Sequence, residues 1–152
     1  MRFLLFLVIG LVFSSAHIHA QSTEDSIKHV ITELFNGMRE ANKEKVRGAF
    51  LDSAIMHTFG VNREGVTIIR KETVDRFVQS IGNYQAGEMD ERIRFEQVLV
   101  DAPMAMVWAP YNFYFKKNFT HCGVNLITLV RQQGVWKIQN ITDTRYRGKC
   151  TF

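Results

Sequence analysis

Residues 108–145 read WAPYNFYFKKNFTHCGVNLITLVRQQGVWKIQNITDTR. The stretch holds two long strand-like runs and the end of a third, joined by short polar turns. Lys116-Lys117-Asn118 and Gln132-Gln133-Gly134 are each short enough to close a hairpin. Tyr111, His121, Asn125, Asp143 and Arg145 are set among hydrophobic residues. Long strands of this kind line a curved sheet, and polar groups on its inner face serve a ligand.

Working outward, the period of two predicts strands over residues 93–100, 104–115, 119–130 and 135–146, with a further break at Asp101-Ala102-Pro103. Pro110 lacks a ladder donor and predicts an edge or a bulge. A bulge would bring Trp108 onto the face of Tyr111 and Phe113. Upstream the pattern is helical. Ser22 and Thr23 precede acidic residues, and Ile27, Val30, Ile31, Leu34, Phe35 and Met38 then recur on one stripe. Asn42 starts a shorter helix, residues 54–59 and 66–69 read as strands, and Val74, Phe77, Val78 and Ile81 mark a third helix ending near Gly82. Helices followed by a meander of long strands predict an α+β fold, with helices covering one face of a bent, mostly antiparallel sheet.

The first twenty residues read as a signal peptide: Arg2, an apolar run from Phe3 to Phe13, then small residues up to Ala20. The run is shorter than the roughly 20 residues that span a bilayer. No cysteine follows it to carry a lipid. The expectation is a periplasmic or secreted protein, detached from the membrane after cleavage, with residues 21–152 as one domain. The chain carries 19 Lys and Arg against 15 Asp and Glu. Arg2 leaves with the leader and the other charges are scattered, so nucleic acid is not an expected partner. Cys122 and Cys150 would meet only if the tail folded back across the sheet, because hairpin register places Cys122 roughly opposite Asp143.

Two groups of motifs carry a family resemblance. NKEKVRGAFLDSAIMHTFG (42–60) and GVWKIQNI (134–141) resemble the helix pair and closing hairpin of the nuclear transport factor 2-like superfamily, which includes ketosteroid isomerase and SnoaL-like cyclases. DERIRFEQV, VWAPYNFYF, THCGVNLITLV and WKIQNITDTRYR look like a branch of small secreted bacterial proteins without assigned activity. The resemblance implies a cone-shaped fold, a cavity between the inner sheet face and the helices, and a homodimer formed through the outer face.

Alternation puts His121, Gly123, Asn125, Ile127 and Leu129 on one face, apolar at one end and polar at the other. That is the pattern of a cavity wall, or of a buried His–Asn pair fixing strand register. Asp143 and Arg145 also share a face, as a salt bridge or as a site for an anionic ligand. An Asp143–His121 contact would make an acid/base dyad. His57 lies where ketosteroid isomerase-like members carry their aspartate base; no carboxylate occurs over residues 54–60, so the isomerase pattern is broken. Trp108, Tyr111, Phe113, Phe115 and Trp136 read as core, with one or two available as an aromatic wall. The spacing of His57, His121 and Asp143 carries no metal signal, and no metal or cofactor is expected.

The resulting expectation is a binding domain for a small, partly apolar ligand, with His57, Trp108, Tyr111, His121, Asn125, Asp143 and Arg145 around it. The alternatives are an isomerase, hydratase or cyclase using His121 and Asp143, and a non-catalytic dimerising module.

Overall fold

The computed structural model describes residues 22–148 and 150. The expected signal peptide (1–20) and the mature N-terminus at Gln21 lie outside the described residues.

Each helix begins on a side chain that can satisfy a free amide. Ser22 Oγ accepts from the Asp25 amide (3.0 Å) to start α1 (Thr23–Glu40), whose stripe Ile27, Ile31, Leu34, Phe35 and Met38 is buried. Asn42 Oδ1 accepts from the Lys45 amide (2.9 Å) to start α2 (Lys43–Gly48). Gly37 permits the close approach of these helices, since a Cβ there would stand 3.0 Å from Val46 Cγ2. Thr73 caps α3 (Val74–Ile81), which ends at Gly82 as read from the sequence.

The strands are β1 (Phe50–Val61), β2 (Thr67–Thr73), β3 (Met89–Ile93), β4 (Gln97–Asp101), β5 (Met104–Phe115), β6 (Asn118–Gln132) and β7 (Val135–Thr144). They form one sheet in the order β2-β1-β7-β6-β5-β3, with β4 also on β5. The pairing is antiparallel except between β1 and β7. The helices lie against one face, where their apolar stripes meet Ala105, Val107, Ala109, Ile127, Leu129, Trp136 and Ile138. Trp136 is therefore core, as expected.

Three expectations about the strands change. The run 93–100 is two strands, β3 on residues 111–115 and β4 on residues 104–108 of the same neighbour. Pro110 explains the break. Its carbonyl accepts from the Arg94 amide (2.9 Å), so its donor-less nitrogen faces the point where that edge has no ladder to complete. The β5–β6 ladder runs through Pro110 without a bulge. Alternation is thus preserved, and Trp108 lies on the outer face rather than with Tyr111 and Phe113.

Register changes as well. Gln133 (φ 49°) and Gly134 (φ 83°) form a two-residue turn, and Gln139 is a bulge between the Leu129–Ile138 and Thr128–Asn140 pairs. Asp143 consequently faces Asn125, and Cys122 faces Tyr146. The chain then turns back, and Cys122 and Cys150 form a disulfide across a Cα–Cα distance of 6.1 Å.

Candidate functional site

The bulge at Gln139 sets the character of the cone. Before it, Trp136 and Ile138 face inward; after it, Ile141, Asp143 and Arg145 do. Lateral rows of inward side chains then cross the sheet. One row runs Glu72, Met56, Ile141, Ile127, Val107 and is mostly apolar. The next runs Thr58, Asp143, Asn125, Ala109 and is polar at its centre, with Arg70 following on β2 outside the cavity. Beyond it, Gly123 stands opposite Tyr111. A Cβ on Gly123 would overlap the Thr144 carbonyl and lie 3.0 Å from Tyr111 Cε1, so only glycine lets the strands close here.

These rows enclose a cavity of about 200 Å³. Leu34, Phe35 and Met38 of α1 and Phe77 of α3 roof it, and Met56, Met89, Phe113 and Ile141 complete its apolar wall. Its polar lining is Thr58, Glu72, Glu91, His121, Asn125, Asp143 and Arg145. At about 30 Å³ per water, the volume corresponds to about seven water molecules.

Asp143 is buried and fully engaged. Thr58 Oγ1 donates to its Oδ1 (2.6 Å), while the Tyr111 hydroxyl (3.1 Å) and Arg145 Nε (3.3 Å) approach Oδ2. The Tyr111 hydroxyl can also donate to the Thr144 carbonyl (3.0 Å). Burial, followed by the negative charges of Asp143 and Glu91, pushes the Tyr111 pKa up, so the phenol stays protonated as a donor.

The expected Asp143–His121 dyad does not form. Asp143 makes no hydrogen bond to His121 among the described residues, because the register sets it opposite Asn125, four residues further along β6. His121 instead stacks on Phe113 (centroids 4.8 Å, interplanar angle 29°) and meets Tyr111 edge-on at 5.8 Å. Burial, helped by the positive charges of Arg145 and Arg147, lowers its pKa to about 4. It is a neutral imidazole at physiological pH.

Glu91 is, with Thr58 and Glu72, one of the polar site residues that the sequence reading missed. It shares the inner face of β3 with Met89, and its Oε1 accepts from Asn125 Nδ2 (2.8 Å). Burial raises its pKa to about 7, the Asn125 hydrogen bond opposes that rise, and the charge of Asp143 adds to it. Its period-two spacing from Met89 and Ile93 was the available signal, obscured by merging β3 with β4. Of the expected residues, Tyr111, His121, Asn125, Asp143 and Arg145 are brought together. His57 is not: Met56 and Thr58 line the cavity, so alternation directs His57 to the opposite face. Trp108, 42% exposed, lies outside the cavity too.

The chain is similar in fold to several solved proteins. An NTF2-like protein of unknown function from Shewanella baltica OS155 has 14% identity, covers 82% of this chain and 94% of its own, and superposes with a TM-score of 0.62. A protein of unknown function with a cystatin-like fold from Nostoc punctiforme PCC 73102 has 10% identity, 82% and 93% coverage, and a TM-score of 0.64. An NTF2-like protein of unknown function from Methylobacillus flagellatus KT has 19% identity, 82% and 94% coverage, and a TM-score of 0.59. No curated protein matches the chain. A family model described as "Putative lumazine-binding" matches residues 22–142, and with this helix-roofed cone the chain belongs to that family, within the NTF2-like superfamily.

Proposed function

We propose that this protein binds a small, flat, hydrogen-bonding molecule of the lumazine type in its cone. The observation that carries this reading is the convergence of buried Asn125 and Asp143 and half-buried Glu91 on a cavity whose apolar wall is leucine, methionine, phenylalanine and isoleucine. Convergent polar groups in an apolar cavity orient a ligand, and ring faces at Phe113 and His121 suit a planar one. The family's description supports the ligand class. Calorimetric titration with lumazine tests it, with Asn125→Leu expected to weaken binding at least tenfold, about 1.4 kcal/mol. Absence of binding at millimolar lumazine would sink this ligand class. Equal affinity in the variant would sink the site.

A second reading is favoured by Glu91. A carboxyl with a pKa near 7 lining a largely apolar cavity suits general acid/base work. An isomerase, hydratase or cyclase would therefore rely on Glu91, not on an Asp143–His121 pair. Turnover of a cavity ligand that disappears in Glu91→Gln but persists in His121→Phe would favour it.

The same proposal places the protein in the periplasm or outside the cell. The Cys122–Cys150 disulfide supports an oxidising compartment. It also takes the protein as a homodimer through the outer sheet face, where Leu99, Met104, Met106 and Trp108 are exposed together. Sedimentation showing a monomer at micromolar concentration would remove the dimer.

A further inference from the structure

Four arginines converge on a cleft of about 940 Å³ beside the cone, between the tip of the β1–β2 hairpin and the chain that follows β7. Arg63 comes from the hairpin turn, Arg70 from β2, and Arg145 and Arg147 from the returning chain. Tyr146 adds an exposed aromatic ring.

The charge in this cleft is unbalanced. Around α1, α2 and β3 the basic side chains are matched by acids: Lys28 by Glu24, Lys45 by Glu33 and Glu40, Arg92 by Asp90. Among the described residues no Asp or Glu lines the cleft. Arg145 pairs with Asp143 (3.3 Å), while Arg63, Arg70 and Arg147 form no ion pair among the described residues. Like charges gathered in a concavity repel one another and raise the local potential, which an oxyanion would relieve. Guanidinium forks match the oxygens of phosphate and carboxylate.

The wall bearing two of these arginines is tied down on both sides. The Arg145 amide donates to the Phe59 carbonyl (2.9 Å), fastening the chain to β1. Cys122 and Tyr146 exchange both backbone hydrogen bonds (3.0 and 2.8 Å), and the Cys122–Cys150 disulfide closes the turn beyond. The guanidiniums are thus carried on backbone that is held before a ligand arrives, which lowers the cost of binding.

We propose that this cleft binds a compact, multiply charged oxyanion of the phosphate kind. Thr58 and Arg145 line both the cleft and the cone, so a bound anion would sit at the cone's mouth. Arg63, Arg70 and Arg147 do not line the cone, so the cleft can be tested apart from the lumazine reading.

The test is calorimetric titration of the disulfide-bonded protein with inorganic pyrophosphate at physiological salt. Arg70→Gln and Arg147→Gln are each expected to weaken binding about fivefold or more, as for loss of one charge-assisted contact. Arg94→Gln, at the opposite edge of the sheet, should leave it unchanged. The cleft arginines that are replaced are exposed and form no ion pair among the described residues, so the melting temperature should hold and lost binding would not mean lost fold. Phosphatidylglycerol vesicles run in parallel separate two sources of the anion. Sedimentation with vesicles, reversed by pyrophosphate, assigns a lipid headgroup; pyrophosphate binding without vesicle binding assigns a soluble phosphate. No pyrophosphate binding at millimolar concentration, or equal weakening by Arg94→Gln, overturns the proposal.

Discussion

Asn125 stands directly across from Asp143 in the β6–β7 ladder, yet its amide donates to Glu91 at 2.8 Å. Asp143 is served instead by Thr58, Tyr111 and Arg145. Two of the three carboxyl groups that line this small cavity thus have separate partners. One is held by a guanidinium and two hydroxyls, whereas the other has a single amide and a pKa near 7.

Glu91 should make stability depend on pH. Its pKa is 4.5 as an ordinary carboxyl and about 7 in the fold, so its contribution is fully present below about pH 4.5 and is lost as pH rises through 7. At about 1.4 kcal/mol per pKa unit the swing is on the order of 3 kcal/mol. Glu91→Gln should be more stable than the parent at pH 8, by about 1–3 kcal/mol, and equal to it at pH 4.5. Urea denaturation at the two pH values checks this.

His121 acts in the opposite sense. Its pKa falls from 6.5 to about 4 on folding, so its contribution is present above pH 6.5 and is lost as pH falls through 4. Solvent screening at a partly accessible ring trims the effect to about 1 kcal/mol. His121→Phe keeps the stack on Phe113 and should flatten the acid limb of the stability profile. A profile that still declines between pH 6.5 and 4 would place that proton elsewhere.

Gly123→Ala should be severely destabilising. The added methyl overlaps the Thr144 carbonyl, which is backbone and cannot swing away, so β6 and β7 must separate. A cost of about 3 kcal/mol or more is expected, together with loss of the Tyr111–Asp143 hydrogen bond. Thermal melting measures the first, and the Tyr111 ring resonances report the second.

Reducing the Cys122–Cys150 disulfide, or replacing both cysteines by serine, opens a loop with a sequence separation of 28. The expected loss is about 2–4 kcal/mol. Hydrogen exchange should show new opening around Tyr146 and little change in α1. Uniform loosening of the whole sheet would contradict this.

Much of the fold was legible because its signals are local. The helix starts at Ser22 and Asn42 and the burial stripe of α1 need only the 3.6-residue period and one side-chain oxygen each, whereas the cap of α3 at Thr73 was not read. Pro110 was recognised as a ladder defect, but its remedy was not: a break in the neighbouring edge preserves alternation, and Trp108 stays outside. His57 was misplaced by similar reasoning, because a family position identifies a strand but not which way its side chain points.

By itself the sequence determined three helices, the long strands read at 104–115, 119–130 and 135–146 to within two residues of their ends, and the inward set His121, Gly123, Asn125, since these follow from hydrophobic period and turn chemistry within short windows. Only the tertiary structure decided what those groups touch. One extra residue at Gln139 sets which residues of β7 face the cone and moves Asp143 opposite Asn125, away from His121. The same coiling of the sheet brings Glu91 from β3 to Asn125 and gathers Arg63, Arg70, Arg145 and Arg147 from distant segments. Register and curvature are sums over the whole ladder, and a change of one residue alters every later pairing, so no local window of sequence contains them.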